Sequence, residues 1–547
     1  MVNSSVILGI VICIVVIGVA YIWATTLMDS MIDYRSPLYE APPVPGEAIG
    51  TPKTRSLVIV LVDALRYDTS LKTTVMPFLN QLRSIGASAL MHSHPPTYSE
   101  SAYTTLLTGA WPDLSDGHTI NAEYEDIRLI TQDDIFSAAN RAGLLTAISG
   151  FYWFEKMVPQ QVLAASFYTE GEDQQADRQV TDAALPWLRE GIYNLVLIHL
   201  DQVDYAGHYE GGPRDMRWNV AASRVDSLIE EIASAMDFHQ DTLLIISDHG
   251  QINYGGHGGQ DAITMLEPFV LVGNGVVPGK YNDVQIVDVA PTIATILGTN
   301  IPATNQGYPQ YEMFDFSLAE IDKIKSALST QQTQLAQVYQ DAIGQHVTIQ
   351  QASNVVTATQ AAMDAARDKR LTSQRILQGA IAVVIMILAV NMASWHARPH
   401  LLWIFAGVVS YLVIFNIKYL LIDHKTYSLS SVTSATNLIT STLVTTGIAL
   451  FVGWFLVLLG TNSYRFKPGK AADTTLKYIL MAIAILSIPV FVHTAFNGVV
   501  VTWTLPDFMT AFLGLIFLIQ ILVVAAFGLF LTGLSALIGV FGHQSAK

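Results

Sequence analysis

A single cysteine, Cys13, occurs in this 547-residue chain, and it lies within an apolar run. That excludes intrachain disulfides, a cysteine-ligated zinc site and a thiol nucleophile in the polar part. It leaves the compartment open, because an extracytoplasmic domain with a large core is stable without bridges. Charge is also scarce. Asp, Glu, Lys and Arg make up 14% of residues against 51% hydrophobic ones, and mean hydropathy is +0.38. The chain is too apolar for a purely soluble enzyme. Basic residues are in deficit, with a net charge of −16. No basic face for nucleic acid is built cheaply from that balance, so nucleic-acid binding is excluded. No internal repeat is present.

Long apolar runs are what the chain does have. Residues 6–27 carry no charge and are long enough to span a bilayer. No positive segment precedes the run, and it is long for a cleaved signal, so residues 1–30 are expected to be a signal anchor. Residues 31–55 are proline-rich without apolar periodicity and are expected to be a linker. Residues 316–374 combine Gln, Ala, Lys and Glu with few turn formers. They predict two amphipathic helices broken near 344–347, and a solvated spacer is the preferred reading over a partner-binding hairpin. Residues 375–547 predict about five spans, at 376–394, 401–422, 432–459, 479–501 and 508–531. The last run stays apolar to Phe541, as one long helix or a span plus an interfacial helix. Arg398, Arg465, Lys467, Lys470, Lys477 and Lys547 fall on one side and little more than Lys418 and Lys425 on the other. The positive-inside rule then makes both termini cytoplasmic and places residues 37–374 outside the cell or in an organelle lumen. His493, Asn497, Gln520 and a Ser/Thr-rich fourth span are expected to bond between helices rather than to line a substrate path.

Residues 56–315 alternate strands (57–62, 88–91, 144–149, 193–199, 242–247, 269–272) with helices (76–86, 100–108, 133–142, 176–189, 216–236, 287–297). The expectation is an α/β domain whose mostly parallel sheet is covered on both faces. Open sheets of this kind place their sites at the carboxyl ends of the strands, and there the chemistry collects. Leu243-Leu244-Ile245-Ile246 runs into Ser247-Asp248-His249-Gly250, then Gly255-Gly256-His257-Gly258-Gly259. The first strand ends in Asp63. The strand at 193–199 leads to Asp204 and His208, four apart across a glycine, on a short turn expected to aim both at one ion. Pro95-Pro96-Thr97-Tyr98-Ser99-Glu100-Ser101 opens a helix, where N–H groups and the dipole favour an anion such as phosphate. Asp63, Asp204, His208, Asp248, His249 and His257 suffice for two zinc ions with three protein ligands each. Asp and His also accept manganese. Two such ions stabilise the attacking and leaving oxygens of a displacement at phosphorus, and one of them activates a hydroxyl.

On these residues the chain resembles the alkaline phosphatase superfamily. More narrowly it resembles the type I phosphodiesterase/nucleotide pyrophosphatase branch, and within it the GPI ethanolamine phosphate transferases. The matching stretches are VDALRYD (62–68), MPFLNQL (76–82), PPTYSESAYTTLLTG (95–109), HLDQVDYAGH (199–208) and SDHGQINYGGHGG (247–259). The N-terminal anchor and the C-terminal spans are also like those transferases, with a shorter bundle. The resemblance implies an alkaline-phosphatase-like fold. It implies one metal held by Asp63, Asp248, His249 and the nucleophile, and a second by Asp204, His208 and His257. Counting back from Thr108-Gly109 puts the nucleophile at Ser99, with Thr97 the alternative. An Asn after a His-Gly pair contacts phosphate in the nucleotide pyrophosphatases. Here the order is Gly117-His118 and the matching residue is Asn121, equally readable as an Asn in a turn.

The implied activity moves a phosphoethanolamine-type group from a phospholipid donor to a glycolipid or glycan hydroxyl, through a phospho-serine intermediate. The alternative is a membrane-anchored phosphodiesterase or phosphatase that releases the group to water. A pseudoenzyme whose spans do the work is disfavoured by six intact ligands. Asp201, Asp68 and Arg66 are read as partners around the site or on the surface. His92, His94 and His199 are read as satisfied histidines near strand ends. Tyr152, Trp153, Phe154 and Glu155 are read as core more than pocket.

Overall fold

A computed structural model of the chain describes residues 4–350, 354–463 and 468–544. Arg465, Lys467 and Lys547, used above to orient the chain, lie outside the described residues. The α/β domain is built on a nine-stranded sheet. Its strands are β1 (Ser56–Val62), β2 (Ala87–His92), β3 (Thr146–Phe151), β4 (Ala165–Thr169), β5 (Leu195–Leu200), β6 (Asp241–Ile246), β7 (Leu266–Gly273), β8 (Gly279–Lys280) and β9 (Val284–Gln285). The order is β4-β3-β5-β1-β6-β7-β2-β8, with β9 pairing β2. From β4 to β6 neighbouring strands are parallel, and β7 runs antiparallel between β6 and β2.

All seven residues of β1 are buried, as a central parallel strand covered on both faces requires. Leu57, Ile59 and Leu61 face one apolar layer and Val58, Val60 and Val62 the other. On the first face lie α3 (Ser99–Thr108), α4 (Ile135–Arg141) and α8 (Val289–Leu297), through Tyr103, Leu106, Ile135 and Ile293. On the second lie α2 (Pro77–Ile85), α5 (Gln174–Glu190) and α7 (Met216–Ser234), through Leu79, Val180, Trp218 and Ile229. Asp134, Asp173 and Asp215 accept from N–H groups in the first turns of α4, α5 and α7 and start those helices. The mostly parallel, helix-covered sheet expected from the sequence is present. Its short edge strands β4, β8 and β9 were not expected. Half-exposed edges carry little of the apolar signal that marks central strands.

The segment expected to be a solvated spacer is a packed hairpin. Helix α9 (Leu318–Ile343) begins at a Ser317/Glu320 capping box and ends at Gly344, φ 63°. Its Leu335, Tyr339 and Ile343 pack on Leu38, Ala110 and Leu114. Gln331 and Gln332 are buried and donate to the Asn305 carbonyl at 3.0 and 2.8 Å. The next helix, α10 (Val355–Ala397), runs without a break from this hairpin into the apolar region, across the boundary expected at 374/375.

Among the described residues six helices are long and apolar enough to cross a membrane: α1 (Ser4–Ile32), α10, α11 (Leu401–Asn416, continued by a π-turn to Ile422), α12 (Ala435–Gly460), α13 (Pro468–Asn497) and α14 (Phe508–Gln544). The last apolar run is therefore one helix. Polar groups bond between these helices: Tyr411 donates to Gln520 at 2.6 Å and Trp454 to Ser535 at 3.0 Å. Where α1 leaves the bundle it is tied to the α/β domain. Arg128 donates to the Tyr34 carbonyl at 2.8 Å, and Thr119 to that of Met31 at 2.5 Å.

Candidate metal centre at the strand ends

Strands β1, β5 and β6 each hand a carboxylate or imidazole to one place. Asp63 follows β1, and its N–H bonds the Leu200 carbonyl at 2.8 Å. Ala64 then takes a left-handed φ of 59°, uncommon without glycine, and its N–H donates to Asp248 Oδ1 at 3.1 Å. Past β5, the expected short turn is instead helix α6 (Gln202–Tyr209). Asp204 and His208 are one helical turn apart on the same face, with His208 Nε2 3.3 Å from Asp204 Oδ2. Past β6, His249 Nε2 lies 3.2 Å from Asp248 Oδ2 and 3.6 Å from Asp63 Oδ1. His257 Nε2 lies 3.0 Å from His208 Nε2 and 3.6 Å from Asp204 Oδ1. The rings of His249 and His257 stack with centroids 4.0 Å apart.

All six ligand residues expected from the sequence therefore meet. Two groupings place their ligand atoms within 4.8 Å of one another: Asp204, His208 and His257, and Asp63, Asp204 and His249. Asp204 thus lies between the two groups, and Asp248 flanks the second.

The electrostatics fit a cation. Burial, then the neighbouring Asp248, push Asp63 up to about 6. Burial pushes Asp248 up to about 7. Burial also opposes ionisation of Asp204, but the imidazoles of His208 and His257 outweigh it and hold that carboxyl well below its usual range. Asp204 in turn raises His208 to about 9. Burial, then His249, hold His257 well below the ordinary imidazole value. Asp63 Oδ1 and Asp248 Oδ2 are buried without a hydrogen-bond partner. Buried, unpaired carboxylate oxygens beside imidazole nitrogens are costly unless a cation is shared. An all-oxygen-and-nitrogen donor set of this kind suits zinc or manganese.

The two hydroxyls proposed as nucleophile differ in their surroundings. Ser99 is the first residue of α3, and its Oγ lies 3.1 Å from His249 Nε2. The Thr97 hydroxyl donates to the Gly259 carbonyl at 3.1 Å and accepts from the Gly258 N–H at 2.8 Å. Asn121 is beside Ser99: its side-chain oxygen accepts from the Glu100 N–H at 3.2 Å.

Two residues at the site escaped sequence reasoning. The Tyr103 hydroxyl bonds Asp63 Oδ2 and lies 2.8 Å from His199 Nε2. His199, expected to be satisfied, is bonded only on Nε2, to Tyr103 and to Asp63 at 3.2 Å; its Nδ1 is buried without a hydrogen-bond partner. Tyr103 sits one helical turn after Ser99, and that spacing was its one visible signal. Gln251 also bonds Asp204, its Nε2 2.5 Å from Oδ1.

The residues read as bystanders lie around the centre. Arg66 is buried and donates to Asp68 and to Asn253 Oδ1 at 2.9 Å, bracing the turn after His249. The Asp201 N–H donates to Asp177 at 2.7 Å. His92 pairs with Asp283 at 2.9 Å, and His94 bonds the Pro95 carbonyl. Phe154 is core and stacks on Tyr103 at 4.9 Å.

Residues 57–265 match the family model described as Type I phosphodiesterase / nucleotide pyrophosphatase. Curated relatives include GPI ethanolamine phosphate transferase 3, catalytic subunit, of Mus musculus. It is 26% identical over 287 residues, covering 47% of this chain and 26% of that protein. GPI ethanolamine phosphate transferase 2, catalytic subunit, of Homo sapiens is 26% identical over 296 residues, covering 49% of this chain and 29% of its own length. The chain thus spans between a quarter and a third of these relatives' length. Among solved structures, human ectonucleotide pyrophosphatase / phosphodiesterase 5 aligns with a TM-score of 0.39 at 13% identity, covering 49% of this chain and 99% of that one.

Proposed function

We propose that this chain is a membrane-bound, metal-dependent phosphotransferase that moves a phosphoethanolamine-type group from a phospholipid to a hydroxyl on a glycolipid or glycan. The observation that carries the reading is the meeting of Asp63, Asp204, His208, Asp248, His249 and His257 around a hydroxyl at a helix N-terminus, Ser99. The names of the relatives suggest the transferred group.

In this reading Asp63, Asp248, His249 and Ser99 hold one divalent ion, and Asp204, His208 and His257 hold the other, zinc ahead of manganese. The ions would lower the pKa of the Ser99 hydroxyl and offset charge on the phosphoryl oxygens. Ser99 Oγ attacks phosphorus; the Oγ–P bond forms as the bond to the donor's alcohol oxygen breaks, and that alcohol leaves with a proton. The acceptor hydroxyl then attacks the same phosphorus, its P–O bond forms as Oγ–P breaks, and its proton restores the Ser99 hydroxyl. The positive N-terminal end of α3 favours the negative phosphoryl group, with Asn121, which holds the Glu100 N–H, as a phosphate contact. The domains are read as anchor (1–30), linker (31–55), catalytic domain (56–315), helical hairpin (316–374) and membrane bundle (375–547). Arg398 follows the end of α10, and Lys470 and Lys477 lie in the first turns of α13 near the start of α1, where Ser5 bonds Asp473, whereas the other end of α1 is tied to the α/β domain. This supports a catalytic domain outside the cytoplasm and cytoplasmic termini.

The test offers zinc-loaded, detergent-solubilised protein an aryl phosphodiester and, in parallel, phosphatidylethanolamine labelled in its head group with a glycolipid acceptor. Label on the acceptor is the expected result. Release of label to water alone would replace the transferase with a hydrolase. A purified protein that holds no metal and turns over neither substrate would overturn the reading.

A further inference from the structure

The loop joining α11 to α12, residues 423–433, reaches out of the membrane bundle and packs on the turn that carries His257. The Gly259 N–H donates to Ser430 Oγ at 3.0 Å. Ser428 Oγ donates to Asp261 Oδ2 at 2.5 Å, and Gln260 Nε2 to the Tyr427 carbonyl at 3.2 Å. His424 stacks on Tyr254 with centroids 5.1 Å apart. Ser428 and Ser430 are almost fully buried. The fit leaves no room for side chains: a Cβ at Gly256 (φ 100°) would collide with the Ser430 carbonyl, and one at Gly259 with Ser428 Oγ. These glycines serve the approach of a membrane loop as well as the turn between His249 and His257.

The contact leads directly into the site. Gly259 is gripped on its N–H by Ser430 and on its carbonyl by Thr97. The Thr97 carbonyl in turn lies 2.8 Å from His257 Nδ1, which leaves Nε2 to face Asp204 and His208. Behind the loop, Tyr427 stacks on Tyr419 at 5.1 Å, and Tyr419 on Phe415 at 5.6 Å, so an aromatic ladder fixes it to α11. Tyr427 also donates to Asn416 at 2.9 Å.

We propose that Ser428 and Ser430 are positioning residues of the metal centre, and that the membrane bundle forms a wall of that centre in addition to anchoring it. The inference rests on the function proposed above, because the site whose geometry they set is the one assigned there. Partners outside the ligand set commonly change metal affinity or activity by 10–100-fold when removed.

The test uses the full-length protein in detergent and zinc alone as the first probe. Zinc affinity is read by chelator competition without substrate, and aryl phosphodiester turnover is read separately. Ser430→Ala is expected to weaken zinc binding ~10-fold or more and to lower kcat with little change in KM and in the midpoint of thermal unfolding. Ser428→Ala should do the same more mildly, and it serves if Ser430→Ala does not fold. Wild-type zinc affinity and kcat in both variants, beside an active zinc-bound parent, would overturn this inference while leaving the proposed function standing. A parent that binds neither zinc nor manganese and turns over no diester overturns both.

Discussion

The Thr97 hydroxyl is held by Gly259, 3.1 Å from its carbonyl, while the Ser99 hydroxyl, two residues on, faces His249. The two hydroxyls, of which the sequence puts Ser99 ahead of Thr97 as nucleophile, thus have different surroundings. Ser99→Ala should lower turnover of an aryl phosphodiester by ~1,000-fold or more, the scale on which removal of a nucleophile is felt. Thr97→Ser keeps the hydroxyl and should stay within a few-fold of wild type. Phosphopeptide mapping of enzyme quenched during turnover should find label on Ser99. Label on Thr97, or activity surviving Ser99→Ala, would reverse the assignment.

Tyr103 and His199 both bond Asp63 and hold one of its oxygens while the other is left without a partner. Tyr103→Phe removes one hydroxyl from a buried position and leaves the ring stacked on Phe154. It should lower metal affinity or turnover ~10–100-fold, as removal of an outer partner of a ligand does. The midpoint of thermal unfolding measured in excess zinc should change little. A variant with wild-type affinity and rate would make Tyr103 a packing residue only.

How much of this was legible beforehand depends on how local each signal is. Asp63, Asp248 and His249 closely follow apolar strands, so one stretch of chain carries both the strand and its candidate ligand. Asp204 and His208 were legible as a pair, although the turn expected there is a helix. Tyr103 and His199 were not, because their roles depend on partners 40 and 136 residues away in sequence. The reason for Gly256 and Gly259 lies more than 160 residues away, in Ser428 and Ser430. Helix α10 was divided at a change of polarity. Within 355–397 there is no proline and one glycine, Gly379, so nothing in the backbone stops the helix there. Polarity marks where a helix enters lipid, whereas helix-breaking residues mark where it ends.

Residues 31–55, expected to be a linker, are strapped down at one point by Asp116. Its carboxylate accepts from Arg35 at 2.9 and 2.6 Å, from the Ser36 N–H at 2.9 Å and from Thr131 at 2.9 Å. The Asp116 side chain is 0% exposed and that of Arg35 36%. Breaking a fully buried pair costs ~3–5 kcal/mol. With Arg35 partly in water the loss is smaller, and Asp116→Ala is expected to cost about 1–2 kcal/mol. Faster proteolysis within 34–50, with KM for a soluble diester unchanged, would show the strap loosened. Asp116→Asn retains an acceptor for Ser36 and tolerates the left-handed φ of 63°, so it should lose less.

Asp288 offers a pH signature away from the candidate metal ligands. It is nearly buried at the start of α8 and accepts from the N–H groups of Gln285 at 2.9 Å and Tyr308 at 2.7 Å, and from Gln310 at 3.1 Å. Burial outweighs these bonds and raises its carboxyl to about 6. A raised folded-state value means that the protonated form is favoured in the folded protein. Its stabilising effect is complete below the ordinary carboxyl range near ~4 and is lost as pH rises through about 6. Asp288→Asn has a similar shape, keeps a side-chain oxygen acceptor and cannot ionise. Between pH 4 and 7, roughly the interval that brackets this loss, the unfolding midpoint of the wild type should fall relative to that of the variant. Parallel curves across that interval would mean that Asp288 ionises in the folded protein as readily as in water, and that its three donors offset the burial.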